Sequence, residues 1–419
     1  MKRKPFHILL LCLVVLVAIS CNSIENKSLN KKVDKKDNIS VKLNDKDDSD
    51  HEKDILLKKI EGMTLKEKIG QLLVVGFEGT SINSDIENYI ENYKVGGFIL
   101  FSRNIRNADE SFKLINDIKE KNTQNSIPLF ISIDEEGGGV SRLPKEFLKL
   151  PSAKMIGNAN REEISFEYGK VIGVRVKSLG FNLDFAPVLD INSNPKNPVI
   201  GDRSFGDTEK IVSKNGISVV KGLKEEGLIS AVKHFPGHGD TSVDSHKNLP
   251  VVYKTKDELK DLELIPFKKA IKEDIDAIMV AHILYKDIDK DYPATMSKSI
   301  IEKLLREDLS FKGVVMSDDM TMGAIIKTYS LEEASVKFLK SGGDILLICH
   351  GRDNPRLVFE AIEKAVEEKI LSEEEIDKKV YRIISLKKKY KINDKSLMKY
   401  DIEKINKLTD DFLKKVNSL

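Results

Sequence analysis

The stretch from Val232 to His246 holds the side chains most suited to chemistry. It follows a short apolar run, Ile229–Val232, then breaks into proline and glycine, and it carries a lysine, two aspartates and three of the chain's seven histidines. Charged and imidazole groups directly after a buried strand are costly unless they are paired or used. The stretch therefore predicts a functional site at the end of a strand.

Three residues suggest what that chemistry is. An aspartate at a strand end, Asp318, opposed by histidines and a lysine suits covalent catalysis on a neutral polar substrate. Glycoside hydrolysis usually employs two carboxylates. Here His246 would be the acid/base, because an ordinary histidine pKa of about 6.5 lets it donate and recover a proton near neutral pH. Asp244 would hold the imidazole and raise its basicity. The alternatives are that Asp318 caps a helix and that His246 is an ordinary surface histidine.

The scaffold for these residues is predicted from alternating apolar runs and charge-rich helical segments. The runs are continuous in apolarity, which is typical of strands buried on both faces. Eight runs with helices between them, over a length usual for the fold, predict a (β/α)8 barrel. A doubly wound open sheet is the main alternative. Capping boxes at Thr64, Ser330 and Ser372 predict helix starts. The runs are Leu72–Val75, Gly97–Phe101, Leu129–Ile133, Leu183–Val188, Ile229–Val232, Ala277–Ala281, Val314–Met316 and Ile345–Ile348.

Polar residues follow six of the eight apolar runs. In a (β/α)8 barrel the active site is built at the carboxyl ends of the strands, so these residues are predicted to converge on one cavity. We interpret Asp190, Asp319 and His350 as supporting or capping residues, and His238 as a structural hydrogen-bonding residue. His282 is open between a structural and a functional role. The positions are Asp134–Gly139, Asp190, Lys233 with His234, His282, Ser317–Asp319 and His350.

Composition and motifs exclude several classes of function. Lys and Arg total 69 against 67 Asp and Glu, which gives no basic field of the kind that nucleic-acid binding needs. No metal-binding pattern occurs, so we expect neither a metal nor a cofactor. The glycines of Glu136–Gly139 follow a strand as a nucleotide loop would. They lack the Gly-x-Gly-x-x-Gly spacing, and the adjacent carboxylates would repel phosphates.

Residues 1–20 are predicted to be an export signal. A basic start precedes an apolar run, Ile8–Ile19, that is too short to span a bilayer comfortably. The run leads into Ala-Ile-Ser-Cys, which resembles the lipobox of bacterial lipoproteins. We therefore expect Cys21 to carry a lipid that anchors the protein at the extracytoplasmic face of the cell membrane. A plain secretory signal is the alternative.

The remaining chain divides by composition into a tether, a barrel domain and a helical extension. Residues 21–53 are rich in Lys, Asp, Asn and Ser and are predicted to be a flexible tether. Residues 54–393 are predicted to form the barrel domain, and residues 394–419 a C-terminal helical extension. Cys349 would be the one cysteine of the folded core, which excludes an intramolecular disulfide.

Four motifs in order resemble the bacterial β-N-acetylglucosaminidases of glycoside hydrolase family 3. The resemblance runs from about Thr64 to Leu386, and its third motif is the most specific. The motifs are Asp134-Glu135-Glu136-Gly137-Gly138 with Arg142; Gly201-Asp202-Arg203-Ser204-Phe205-Gly206; Lys233-His234-Phe235-Pro236-Gly237-His238-Gly239 with Asp244-Ser245-His246; and Ser317-Asp318-Asp319-Met320.

The resemblance implies a role for each matched position. It makes Asp318 the nucleophile, His246 the general acid/base and Asp244 the polarising partner of His246. It makes Asp134 the carboxylate that grips sugar hydroxyls. It also implies a metal-free enzyme that acts with retention on terminal, non-reducing β-linked N-acetylglucosamine, often of peptidoglycan fragments, and we expect a monomer. The remaining implied sugar ligands are Arg142, Arg203, Lys233 and His234.

Two departures from the family and three rival functions stay open. The family often has Gln at Glu135 and Arg at Gly139, so local charge and loop stability could differ here. A β-glucosidase or β-xylosidase of this fold usually takes a Glu acid/base from a second domain, for which we expect no room after Leu386. A phosphorylase is a second rival, since a neutral histidine tolerates incoming phosphate. The third is a catalytically inactive sugar-binding surface lipoprotein.

Overall fold

A computed structural model describes residues 45–419, with side chains from Lys53 onward. The predicted export signal, Cys21 and residues 22–44 of the tether lie outside the described residues. The lipid anchor therefore stays a prediction, which incorporation of labelled palmitate at Cys21 would test. None of the helices among residues 45–419 combines the length and the apolar character needed to cross a membrane.

The first helix, α1, spans Asp45–Glu61 and so begins inside the segment predicted to be a tether. Its apolar residues Leu56 and Ile60 are one helical turn apart and both are buried. Both residues come after Asp54, in the part of the chain that was predicted to be folded. By its contacts, Asp50–Leu419 forms one unit, and the boundary of regular structure lies earlier than the predicted Asp54.

Eight parallel strands close into a barrel, which confirms the predicted (β/α)8 fold and excludes the open sheet. Around the barrel the order is β1-β10-β9-β7-β5-β4-β3-β2. Closure is made where β1 pairs with both β2 and β10, with Leu73 beside Leu346 and Val74 beside Gly97. Strands β6 and β8 form a separate two-stranded sheet. The strands are β1 Leu73–Val75, β2 Gly97–Ile99, β3 Phe130–Ile133, β4 Leu183–Asp184, β5 Ile229–Phe235, β6 Val251–Val252, β7 Ala277–Val280, β8 Leu284–Tyr285, β9 Val314–Asp319 and β10 Ile345–Ile348.

Two barrel strands extend beyond their apolar runs and carry site residues on the strand itself. Strand β5 continues through Lys233 and His234 to Phe235, and β9 continues through Asp318 to Asp319. Both were expected to end before these polar residues. The register shifts in both extensions, between Val232 and Phe235 and between the β10 partners of β9. Such irregularities re-aim side chains near active sites.

Helices surround the barrel, and their starts follow the predicted capping chemistry in two of three cases. Thr64 and Ser372 form full capping boxes with Glu67 and Glu375. Ser330 accepts from the Glu333 amide alone, so it caps the helix without the reciprocal bond. The helices that follow α1 are α2 Leu65–Gln71, α3 Ser84–Glu91, α4 Ala108–Asn122, α5 Ala153–Ala159, α6 Glu162–Ser178, α7 Glu209–Glu225, α8 Lys256–Asp261, α9 Leu264–Lys272, a π-helical segment Ser299–Asp308, α10 Gly323–Ile326, α11 Leu331–Lys340, α12 Asn354–Glu367, α13 Glu373–Lys389 and α14 Ile402–Asn417.

The C-terminal helix α14 packs on α6 and supports the site indirectly. Its Phe412 is buried against Tyr168 of α6, with ring centroids 5.8 Å apart. The Tyr168 hydroxyl lies 2.8 Å from the carbonyl oxygens of both Glu136 and Pro151. This contact links the outer helical layer to the loop that follows β3.

Candidate active site

A cavity of about 340 Å3 opens at the carboxyl ends of the barrel strands. Its size is in the range of small-ligand sites, about 300–1,000 Å3. Seven of the eight predicted catalytic and sugar-binding residues line it, and the eighth, Asp244, contacts one of the seven. The side chains that line the cavity are Ile99, Phe101, Asp134, Glu136, Val140, Arg142, Phe185, Val199, Arg203, Lys233, His234, His238, Ser245, His246, Met279, Asp318, Asp319, Met322, Leu347, Cys349 and His350.

A buried network of alternating charges forms one wall of the cavity. The Lys233 Nζ atom lies 2.8 Å from Asp134 Oδ1 and 2.7 Å from Glu136 Oε1. Arg203 donates two hydrogen bonds to Glu136, from Nε at 2.8 Å and from Nη2 at 2.7 Å. Such a bidentate pair fixes direction as well as charge. The network therefore holds Asp134, Lys233 and Arg203 in fixed positions at the cavity surface.

Glu136 is the member of this network that the sequence analysis did not assign to the site. Burial alone would raise its pKa, but the guanidinium of Arg203 and the ammonium of Lys233 outweigh burial and hold the pKa well below its usual range. The residue was visible in the run Asp134–Gly139, but the sequence offered no sign of which adjacent glutamate faces the cations.

The neighbouring Glu135 has the opposite environment. Its carboxylate accepts from the Ser141 hydroxyl and from the amides of Arg142 and Leu143, and it is fully buried. Burial raises its pKa, although the Arg175 guanidinium 3.7 Å away opposes that effect. Glu135 does not line the cavity, so its departure from the family acts on the 141–143 loop. Gly139 has nothing within 4 Å of an added Cβ, so a side chain could start there without a clash.

Arg142 is positioned by Glu135 and presents an unused donor. Its amide donates to Glu135 Oε2 at 2.9 Å. Its side chain lines the cavity, and its Nε atom is buried with no hydrogen-bond partner among the described residues. A buried donor without a partner is costly.

His234 is oriented by Asp190, which confirms a supporting role for that aspartate. The His234 Nδ1 atom lies 2.6 Å from Asp190 Oδ2, and the His238 amide donates to Asp190 Oδ1 at 2.7 Å. Burial would raise the pKa of Asp190, but the contact with His234 outweighs burial and lowers it. With Nδ1 engaged, the Nε2 atom of His234 faces Arg203 Nη2 at 3.4 Å.

Asp318 is held as a carboxylate at the edge of the cavity. One of its oxygens accepts from the Asp319 amide at 2.8 Å. Burial would raise the pKa of Asp318, but the nearby His282 and His234 outweigh burial and lower it to about 2. An ionised, partly exposed carboxylate at this position can attack an electrophilic carbon.

His246 and Asp244 form a pair on the long loop after β5. The His246 Nδ1 atom lies 2.9 Å from Asp244 Oδ1, and the His246 amide donates to the same oxygen at 3.0 Å. The His246 side chain is 65% exposed and lines the same cavity as Asp318. With Nδ1 held by the carboxylate, Nε2 is left to exchange a proton with a ligand.

The remaining polar residues at the strand ends have structural contacts. His282 is fully buried outside the cavity lining, between Thr295 Oγ1 at 2.8 Å and the Asp319 carbonyl at 2.9 Å, which favours the structural role. Asp319 accepts from the Thr321 amide and hydroxyl, so it closes a turn and does not cap a helix. His350 lines the cavity, and its ring lies against the ring of Phe101 with the centroids 5.3 Å apart. The sequence did not predict this contact.

His238 has the predicted structural role. It is buried, with Nδ1 2.9 Å from Thr241 Oγ1 and Nε2 3.0 Å from Ser245 Oγ. Burial lowers its pKa to about 4, and the neighbouring His234 adds to this effect. His238 therefore stays neutral at neutral pH and holds the loop that carries His246.

The neutral state of His238 predicts a pH dependence of stability. The unfolded chain takes up this proton near pH 6.5, but the folded chain does so only near pH 4. The free energy of unfolding should therefore fall by up to about 3 kcal/mol as the pH drops across that window. Urea unfolding at pH 7.5 and 4.5 would measure this decrease in the free energy of unfolding. In the variant His238→Gln, the decrease should be smaller by the contribution of His238. An equal fall in wild type and variant would contradict the prediction.

The chain has extensive similarity to proteins of known family. Residues 64–386 match the family described as "Glycosyl hydrolase family 3 N terminal domain". The chain is 35% identical over 342 residues to Beta-hexosaminidase A of Pseudoalteromonas piscicida, covering 76% of this chain and 57% of that protein. It is 32% identical over 293 residues to a Beta-hexosaminidase of Idiomarina loihiensis, covering 69% of this chain and 87% of that protein.

A solved structure has the same fold at higher identity. It is a glycoside hydrolase family 3 β-N-acetylglucosaminidase from Paenibacillus sp. str. FPU-7, with a TM-score of 0.80 and 38% sequence identity. The alignment covers 85% of this chain and 69% of that one. The chain thus spans little more than half of its Pseudoalteromonas relative and about two thirds of the Paenibacillus structure.

Proposed function

The chain belongs to glycosyl hydrolase family 3, and on that premise we propose that it is an exo-acting, retaining β-N-acetylglucosaminidase. It would remove terminal, non-reducing β-linked N-acetylglucosamine from peptidoglycan fragments or other glycosides. The observation that carries the proposal is that Asp318 and the Asp244–His246 pair meet the Lys233 network at one cavity.

The charged network suits a neutral sugar with many hydroxyl groups. Asp134 and His234 can accept hydrogen bonds from hydroxyls, while Lys233, Arg203 and Arg142 can donate to hydroxyl or carbonyl oxygens. Because Lys233 and Arg203 are already paired with carboxylates, they would bind the sugar without adding an uncompensated positive charge.

In the first step, an oxygen of Asp318 attacks the anomeric carbon of the sugar. The bond from that carbon to the leaving oxygen breaks, and His246 Nε2 gives its proton to that oxygen. The pKa of Asp318 near 2 keeps the nucleophile ionised at neutral pH. Asp244 accepts from His246 Nδ1 and stabilises the protonated ring before the transfer.

In the second step, neutral His246 removes a proton from a water molecule that attacks the same carbon. The ester bond to Asp318 breaks and the carboxylate is restored. Two inversions at one carbon leave the β configuration unchanged. A phosphorylase is the alternative function, because a histidine that is neutral at this stage would admit a phosphate anion where a carboxylate would repel it.

The full-length protein, assayed on 4-nitrophenyl β-N-acetylglucosaminide and β-glucoside, tests the proposal. We expect hydrolysis of the N-acetylglucosaminide, with the β-anomer of the free sugar appearing first by NMR. Adding phosphate should leave the product unchanged. Formation of the sugar phosphate would favour the phosphorylase, preference for the glucoside would favour a β-glucosidase, and absence of turnover would favour a sugar-binding protein.

A further inference from the structure

We propose that Gly323 is a positioning residue. It allows the catalytic loop segment Asp244–Asn248 to pack against the start of α10, the helix that follows the strand of the nucleophile. The inference rests on the proposed function, in which His246 of this segment is the acid/base. Gly323 is the first residue of α10 and lies shortly after Asp318 in the chain. Because glycine has no Cβ atom, the backbone of the loop segment can contact the backbone at the start of α10.

Two backbone hydrogen bonds join the segment to the start of α10. The Gly323 amide donates to the His246 carbonyl at 3.2 Å, and the Ala324 amide donates to the Ser245 carbonyl at 3.2 Å. The first amides of a helix have no partner within the helix. Here these amides donate to carbonyls of the loop segment, so the start of α10 holds that segment in place.

The contact has no room for a side chain. A Cβ atom at Gly323 would lie 2.7 Å from the carbonyl oxygens of both His246 and Lys247. Both oxygens belong to the backbone, so the loop and the start of α10 would have to move apart to relieve the overlap. Because His246 itself supplies one of these oxygens, the displacement would begin at the proposed acid/base.

Among the described residues, the other hydrogen bonds that join the segment to the rest of the chain are made by side chains. Ser245 Oγ lies 3.0 Å from His238 Nε2, and Asn248 Oδ1 accepts from Lys327 at 3.2 Å. The His246 imidazole is largely exposed, and within residues 45–419 its one side-chain partner is Asp244 of the same loop. The seat on α10 is therefore the contact that fixes this loop relative to Asp318, because α10 follows directly from β9.

The closing experiment compares Gly323→Ala with His246→Ala and with Gly139→Ala. Gly139 is the matched control, because it also lies in a loop next to the cavity but has nothing within 4 Å of an added Cβ. The substrates are β-N-acetylglucosaminides with an acidic 2,4-dinitrophenol and with a weakly acidic phenol as leaving group. The second needs protonation on departure and the first does not.

We expect Gly323→Ala to lower kcat/KM for the weakly acidic leaving group by about 10²-fold, as a misplacement of about 1 Å can do. The value for the dinitrophenyl substrate should fall far less, and azide should restore kcat, as in His246→Ala. His246→Ala should lose about 10²- to 10⁴-fold on the substrate with the weakly acidic leaving group, and Gly139→Ala should resemble wild type.

Other results would overturn the inference and separate it from the proposed function. The positioning role is wrong if His246→Ala shows the leaving-group dependence but Gly323→Ala shows none. It is also wrong if Gly323→Ala loses activity equally on both substrates. If His246→Ala shows none, the acid/base assignment fails and the positioning role with it. Should Gly323→Ala fail to fold, hydrogen exchange in the wild type decides: the amides of Gly323 and Ala324 should be protected, and fast exchange there would refute the seat.

Discussion

Replacing Asp318 with asparagine should lower kcat/KM for an aryl β-N-acetylglucosaminide by about 10⁴-fold or more, the scale of losing a covalent nucleophile. Asparagine keeps the shape and can still accept from the Asp319 amide, so the strand end should stay in place. It carries no negative charge and cannot form the ester with the sugar. Steady-state kinetics would measure the loss. Mass spectrometry of the quenched wild type should show a glycosyl adduct on the peptide that contains Asp318, and the variant should lack it.

Asp353→Asn is the matched control for this substitution. Asp353 is an exposed aspartate shortly after the neighbouring strand β10, and it neither lines the cavity nor caps its helix with its side chain. Its replacement should leave kcat/KM unchanged. If Asp318→Asn retained activity within about tenfold of wild type, a loss of only about 1.4 kcal/mol, the nucleophile would have to be another residue.

Replacing Glu136 with glutamine should lower the free energy of unfolding by about 3–5 kcal/mol, the usual cost of breaking a buried ion pair from one side. The side chain keeps its volume, but Lys233 would then be paired with Asp134 alone and Arg203 would lose the carboxylate that it contacts directly. Removing this counter-charge from two buried cations favours unfolding, because water would solvate them better. Urea denaturation at neutral pH, followed by circular dichroism, would measure the change.

The surface pair Arg356–Glu360 gives the control for the charge effect. It joins the same two residue types at 2.9 Å, but on the exposed face of α12. Glu360→Gln should cost no more than about 1 kcal/mol, because solvent screens an exposed pair. In the double variant Glu136→Gln/Arg203→Gln, the loss should be smaller than the sum of the single losses. Equal effects of Glu136→Gln and Glu360→Gln would show that the cavity network is not electrostatically coupled.

The barrel could be predicted because its strands follow a repeated local rule. Each is a short, continuously apolar run, and all eight predicted runs coincide with barrel strands whose residues inside the run are buried. The ends of β5 and β9 could not be predicted in this way. There, polar residues such as Lys233 and Asp318 continue the strand, because pairing with a neighbouring strand and charge partners from other strands compensate for them.

The start of helix α1 is a second feature that the local sequence pattern did not predict. The helix begins at Asp45, inside a segment whose charge density is typical of a solvated tether. The two adjacent glutamates after β3 are a third such feature. Glu135 and Glu136 are adjacent and chemically identical, but one is bonded to loop amides and the other to two cations.

The sequence by itself determined the barrel, the family resemblance and most residues of the cavity, because periodic apolarity and short motifs are local properties of the chain. The Asp244–His246 pair is local in the same sense, since two residues of one turn can find each other without the rest of the fold. Only the tertiary structure decided which carboxylate neutralises Lys233 and Arg203, that His282 is structural, and that Gly323 seats the loop. Each of those facts depends on contacts between segments far apart in the chain, whose distances are set by barrel closure and not by any neighbouring residue.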